Sequence, residues 1–471
     1  MSTENIVQRI WNLCHILRGD GVSYHEYISE LTYLLFLKIS EENGTELLLP
    51  EGYRWSNLVS YEGHDLLSFY REMLTYLGGH AESENIRKIY AFPTTVFSHS
   101  ENLKAVIDGI ARLDWHSLSF DGMGDIYEGL LSKNSQDARS GAGQYFTPRA
   151  LVDSVVRLIQ PGLGDVIQDP ATGSGGFLIS ADQQLRSRVT PGEYNRTPPK
   201  YEGVEIEKAT FRICLMNAFL HQIDARLILG DALTSDADLL SPADVILANP
   251  PFGAKAGSAR KLRKDITYGS ANKQLAFLQH IYLGLKLGGR AAVVLPDNVL
   301  FEDGVGRKIR RELMDLCNLH TILRLPSGIF YSPGVKTNVL FFTRGVTDSG
   351  NTEAVWVYDM RHDGPRYGKK RPLSAKDFEP FEKAFGPDPN GTATRVSEGE
   401  AGRWRSFNRK AIAERSDNLD IIWLGGSDPT PEELLTEPEE VAAAITGHLR
   451  NALIEIQAVA DELADPSQAP R

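Results

Sequence analysis

Cysteine is scarce in this chain: Cys14, Cys214 and Cys317 are the only three in 471 residues. The number is odd and no C-x-x-C spacing occurs, so neither a disulfide framework nor a structural zinc site is indicated, and all three are read as reduced. No H-E-x-x-H sequence is present, and no metal is expected. Long apolar runs are missing too: the stretch Leu31 to Ile39 is too short to span a bilayer. Met1-Ser2-Thr3-Glu4-Asn5 lacks the basic start and apolar core of a signal peptide, so a cytoplasmic protein without membrane contact is expected. A nucleotide P-loop is imitated by Gly328 to Thr337, but five spacer residues and Val335 between Gly334 and Lys336 break its spacing. A motor activity in this chain is therefore not expected.

Basic charge is in deficit, 50 Lys and Arg against 62 Asp and Glu, for a net charge of -12. The deficit is uneven, because residues 426–471 carry ten acids against only Arg450 and Arg471. Elsewhere Lys255, Arg260, Lys261, Arg263, Lys264 and Lys273 stand close together with only Asp265 opposing them. Phosphate contact needs such a local patch rather than a basic whole, although a solvated loop would look the same.

What is present is a 42% hydrophobic content, ordinary for a soluble globular protein, in a chain long enough for about three domains. Ile6, Ile10, Leu13 and Leu17 step at helical spacing and Glu30 to Glu42 is a long apolar-rich segment, so residues 1–140 are read as an all-α domain. After the glycine-rich linker Arg139 to Gly143, short apolar runs alternate with helical patterns, which predicts an α/β domain with a mostly parallel sheet over 141–425. Strands are expected at Asp165–Gln168, Tyr201–Glu205, Arg226–Leu229, Val245–Leu247, Ala291–Leu295 and Val339–Phe342, with Ile322–Leu325 a seventh candidate. Between Val346 and Leu424 the pattern weakens and no chemistry is readable. Residues 426–471 are read as an acidic helical tail, with Leu449, Leu453, Ile456, Ala460 and Leu463 in a stripe suited to a partner helix or to packing on its own chain.

The most specific chemistry lies in Asn249-Pro250-Pro251-Phe252, directly after the apolar run Ala243 to Ala248. Two prolines fix φ and remove backbone donors, leaving a stiff turn whose carbonyls act as acceptors. The Asn249 side-chain oxygen and the Pro250 carbonyl could each accept one hydrogen of an exocyclic amine, freeing its lone pair to attack a methyl sulfonium, while Phe252 stacks on the base. Upstream, Asp169-Pro170-Ala171-Thr172-Gly173-Ser174-Gly175-Gly176 is a glycine-rich turn opening a helix. It lacks dinucleotide spacing and suits the aminoacyl end of a nucleoside cofactor. Glu205, with Glu207 as its rival by period, could accept from both ribose hydroxyls, and Asp231 from the cofactor's adenine amine. Helix capping is the alternative for each acid. Asp169, Glu205, Asp231 and Asn249 thus close four successive predicted strands, at the edge where open α/β sheets bind ligands.

In this order the motifs resemble the amino-methyltransferases of DNA that use S-adenosylmethionine. Gln144, Tyr145, Phe146, Thr147, Pro148 and Arg149 resemble that family's cofactor-covering motif, Asp169 to Phe177 its glycine motif, and Asn249 to Phe252 its catalytic motif, in the order of the adenine-specific γ class. More closely, Ile10 to Leu13, Glu30 to Lys38 and Gly124 to Glu128 resemble the modification subunit of type I restriction-modification systems, over residues from about 6 to 345 and again in the tail. The resemblance implies a Rossmann-like methyltransferase core behind a helical domain, methylating adenine N6 in duplex DNA. It also implies a separate specificity subunit flanked by two modification subunits, with a nuclease-translocase subunit as an optional further partner.

Two features depart from simpler members. Asp169 and Glu205 are 36 residues apart rather than about twenty, with an insertion around Arg186 to Lys200, which leaves the choice between Glu205 and Glu207 open. Only Gly345 to Arg471 follows the catalytic core, too little for a large recognition domain, so sequence reading is expected to be delegated. Cytosine C5 methylation is disfavoured because no Pro-Cys occurs. Competing readings are transfer to cytosine N4 or to protein glutamine, and a non-catalytic subunit that clamps DNA.

Overall fold

Strand and helix alternation in the second part of the chain produces β1 (Val166–Asp169), β2 (Lys200–Glu205), β3 (Ala225–Leu229), β4 (Ala243–Ala248) and β5 (Leu285–Pro296), followed by β6 (Cys317–Arg324), β7 (Thr337–Arg344), β8 (Ala354–Asp359) and β9 (Trp404–Asn408). The computed structural model describes residues 3–13, 16, 24–91, 93–113, 115, 129, 130, 147–252, 261–269, 272–326, 329, 330, 336–362, 365, 367, 371 and 373–424. Gly124 to Glu128, Gln144 to Phe146, Lys255, Arg260 and the tail 426–471 lie outside them. The chain divides into two units. One comprises residues 1–142, 173–175 and 207–225, and the other comprises 143–172, 176–206 and 226–471.

In the first unit, helices Tyr24–Glu42, Gly63–His80 and Ser100–Ala111 are joined by Lys208–Leu220. The Phe219 ring lies 5.1 Å from that of Phe36, and the Arg212 guanidinium sits 4.9 Å from the Tyr33 ring centre. The buried Glu30 carboxylate, raised in pKa by its burial, accepts from Tyr70 Oη at 2.6 Å, Thr95 Oγ1 at 2.9 Å and the Val96 N–H at 3.0 Å. A buried acid so fully hydrogen-bonded ties three segments together.

The second unit holds a nine-stranded sheet in the order β3-β2-β1-β4-β5-β7-β6-β8-β9. β1 pairs in parallel with β2 and with β4, and β4 pairs in parallel with β5. Beyond β5 the sheet is mixed: β5–β7, β6–β7 and β8–β9 are antiparallel and β6–β8 is parallel. The apolar runs of β4 and β5 are continuous because helices such as Lys273–Gly284 and Val305–Leu316 cover them, and Leu278, Ile281, Ile309 and Leu313 pack with Ile246 and Val293 in one core.

The stretch that carried no readable pattern, 346–424, completes this sheet. β8 and β9 add to its far edge, and helix Ala375–Phe385 begins in a capping box of Ser374 and Asp377. Phe378, Phe381 and Phe385 are fully buried on one face of that helix, with Phe341, Tyr358 and Trp404 as ring neighbours of the last two.

Candidate active site

Asp169 ends β1, and β2 lies beside it with Asp169 opposite Gly203. The Thr172 hydroxyl sits 3.0 Å from both the Asp169 and Val204 carbonyl oxygens, and the Thr172 N–H donates to Val204 O at 3.0 Å. This close approach explains Gly203, where a Cβ would overlap the Thr172 hydroxyl. The turn continues through Gly173 at φ 57° and Gly175 at φ 87°, a backbone region that glycine adopts without strain, before helix Gly176–Arg188.

Asp169 is 2% exposed, and its carboxyl accepts from the Ala171 N–H at 3.0 Å. Burial above all, and then the charge of Glu205, raise its pKa to about 8. Glu205 ends β2 and is also buried. Glu207 is engaged differently, because its Oε2 accepts from the Thr210 N–H at 2.6 Å and caps helix Lys208–Leu220. Ile206 between them is 63% exposed, an apolar side chain left in the open directly after Glu205.

After β3, Asp231 forms a tight turn. Its Oδ1 accepts from the Leu233 N–H at 2.9 Å, and its own N–H donates to Asp236 Oδ2 at 2.9 Å. The acid thus closes a local turn, while the short helix that follows, Ser235–Leu239, is capped by Thr234, so the helix-capping alternative does not hold for Asp231. Gly230 gives the turn room, since a Cβ there would stand 2.6 Å from Asp236 Oδ2.

Asn249 is the first residue past β4, whose Ile246 lies opposite Gln168 of β1. β2 flanks β1 on one side and β4 on the other, so Asp169 sits where strand order reverses, the usual ligand position in open α/β sheets. The Asn249 Nδ2 donates to Thr147 Oγ1 at 2.9 Å. Pro250 is buried and Phe252 half-buried, its ring 6.4 Å from that of Phe330 at 73°. Sequence reasoning missed Phe330, which sits in the P-loop-like stretch where no spacing signalled it.

Of the covering motif, Thr147, Pro148 and Arg149 are described. Pro148 precedes helix Arg149–Ile159, and its carbonyl accepts from the Leu151 and Val152 N–H groups. Arg149 pairs with Asp153 at 2.9 Å and donates to Gln183 Oε1, so its guanidinium serves helix packing. The basic patch is also thinner than its sequence suggests. Arg263 bonds Asp265 at 2.9 Å and His280 Nδ1 at 2.8 Å, and burial holds His280 down at about 3, keeping it neutral and able to accept. Among the described residues, no group of three or more His, Cys, Asp or Glu could hold a metal ion, and no helix is long and apolar enough to cross a membrane.

A glycine turn, two buried carboxylates at adjacent strand ends and a stiff Asn-Pro-Pro-Phe turn at the switch point define an amino-methyltransferase core. The N-6 DNA methylase family matches residues 118–423, and the HsdM N-terminal domain matches residues 6–110. The chain belongs to the N-6 DNA methylase family, among the methylase subunits of type I restriction enzymes. It is 42% identical to the type I restriction enzyme EcoKI methylase subunit of Escherichia coli (strain K12), over all of this chain and 97% of that one. The crystal structure of the EcoKI M protein aligns with a TM-score of 0.56 at 38% identity, covering 99% of this chain and 97% of that chain. A chain from a structure of a type I R-M system, described for its complex assembly and conformational transition, aligns with a TM-score of 0.71 at 26% identity over the whole of both.

Proposed function

We propose that the chain methylates N6 of a flipped adenine in duplex DNA, as the modification subunit of a type I restriction-modification complex. The observation that carries this reading is the Asn249 carboxamide, held through its Nδ2 by Thr147 at the end of β4, on the same sheet edge as Asp169 and Glu205. S-adenosylmethionine, bound at the β1–β2 side of that edge, supplies an electrophilic methyl group.

The residues present fit such a cofactor. Glu205, rather than the capping Glu207, accepts from the ribose hydroxyls, and exposed Ile206 offers an apolar face to the adenine ring. Asp231, pinned through Oδ1 by Leu233, accepts from the adenine amine with its remaining capacity. Thr172, Gly173 and Ser174 bring backbone close to the aminoacyl end, and the Asp169 carboxylate favours its ammonium. Gln144 to Arg149 form the cover.

On the substrate side, Asn249 Oδ1 and the Pro250 carbonyl accept the two hydrogens of the target amine, which leaves the nitrogen lone pair directed away from the clamp. Pro251 stiffens the turn and Phe252 stacks on the flipped base, its own ring supported edge-on by Phe330. Positioning and hydrogen bonding supply the rate, with no general base required.

Sequence reading is delegated to a specificity subunit flanked by two copies of this chain, with a nuclease-translocase subunit as a further partner in the cytoplasm. In support, β8, β9 and helix Ala375–Phe385 use much of residues 346–424 to extend the catalytic sheet, rather than to form a recognition domain. Residues 1–140, 141–425 and 426–471 correspond to the helical domain, the catalytic domain with its extension, and the assembly tail.

The test is co-expression with the specificity subunit, followed by sequencing of host DNA for modified adenines. N6-methyladenine at a split site, lost with Asn249→Ala, is expected. A stable complex on DNA that leaves no adenine mark favours the non-catalytic clamp instead.

A further inference from the structure

Asn249 has a rigid backbone and a side chain that its backbone does not fix. Ala248 before it is fully buried in β4, and Pro250 after it is buried with its φ locked by the ring. The terminal torsion of an asparagine nonetheless turns through a broad range. A partner must therefore set the plane of the carboxamide.

Thr147 is one such partner in the structure, 102 residues earlier in sequence and 2.9 Å away through its Oγ1. It stands on a firm base. Pro148 and helix Arg149–Ile159 follow immediately, and that helix is fastened to helix Gly176–Arg188 by Ser180 Oγ donating to Asp153 Oδ1 at 2.6 Å and Gln184 Nε2 donating to Asp153 O at 2.9 Å. Donation by the amide N–H to a hydroxyl also polarises the amide, which strengthens its oxygen as an acceptor.

We propose that Thr147 is a positioning residue, holding the Asn249 carboxamide with its oxygen presented to the target amine. The inference rests on the methyltransferase reading above and gives Thr147 a role beyond the cofactor cover to which its motif assigns it. The hydroxyl acts on the target amine through Asn249.

The test compares Thr147→Val, which keeps the shape and removes the hydroxyl, with Thr147→Ser, which keeps the hydroxyl, each in the full complex with the specificity subunit. Thr147→Val should lower kcat about tenfold, the worth of one hydrogen bond of about 1.4 kcal/mol. Thr147→Ser should recover the rate, and Thr147→Val should add nothing to the kcat loss of Asn249→Ala. An intact kcat in Thr147→Val, whatever its cofactor Kd, would overturn the proposal, as would a Ser variant as slow as Val. A crystal structure of Thr147→Val decides the point even if the wild-type complex proves inactive and the functional reading falls. A turned Asn249 carboxamide supports the proposal, and an unmoved one refutes it.

Discussion

Asp169 and Glu205 end adjacent parallel strands with both carboxyls buried, and the charge of Glu205 adds to the burial that lifts Asp169 to about 8. The Glu205 charge so placed disfavours the ionised form of Asp169, and a bound cation would relieve that repulsion. The ammonium of the proposed cofactor would relieve this cost at the β1–β2 edge.

The sign of the resulting pH dependence is fixed by the direction of the shift. Asp169 binds its proton more tightly folded than unfolded, so its contribution to stability is present at acid pH and is lost as pH rises from its ordinary 3.8 toward about 8. Asp169→Asn should accordingly stabilise the free chain near pH 8 by on the order of a few kcal/mol. The same variant should weaken S-adenosylmethionine, whose binding to the wild type should strengthen up to about pH 8 with release of a proton. Thermal melts and calorimetry in buffers of different ionisation heat check both; a variant less stable at that pH would mean that Asp169 is already ionised in the fold.

Glu205 and Glu207 were equivalent by period and differ in the structure, which makes them a controlled pair. Glu205→Gln should reduce cofactor affinity with little change in melting. Glu207→Ala should cost about 1 kcal/mol of stability, the usual worth of an N-cap, with cofactor affinity preserved. Titration and denaturant unfolding of the two variants should give opposite patterns.

Gly203→Ala places a methyl on the Thr172 hydroxyl, which is itself tied to Asp169 and Val204. Overpacking of this kind should destabilise by about 1–3 kcal/mol and push the glycine turn outward, so that cofactor binding falls together with the melting temperature. A double variant with Thr172→Ser, which removes a methyl but keeps the hydroxyl, should not rescue it.

Much of this was legible in the sequence, for reasons that particular residues show. β4, β5 and β7 announced themselves because buried strands covered by helices carry apolar runs, and Asn249 did so because few functions need two prolines after a strand-end asparagine. β8 and β9 did not: Trp356 and Trp404 stack at 5.0 Å across two strands whose alternation is interrupted by Arg405 and Ser406. The reversal of direction at β7 is a property of pairing, which a single strand's composition does not encode. The contacts Thr147–Asn249 and Phe252–Phe330 join residues far apart in sequence, and periodicity carries no such information. Arg263 was counted as available for phosphate although it binds Asp265 and a neutral His280.

Whether Asn249 clamps an adenine amine is decided by transfer of labelled methyl from S-adenosylmethionine to DNA by the purified complex, with the product digested to nucleosides, for the wild type and for Asn249→Ala. N6-methyladenine is expected as the labelled product, with a rate loss of roughly a hundredfold or more in the variant and unchanged cofactor binding. Label in N4-methylcytosine, or an Asn249→Ala complex that methylates at the wild-type rate, would contradict the clamp.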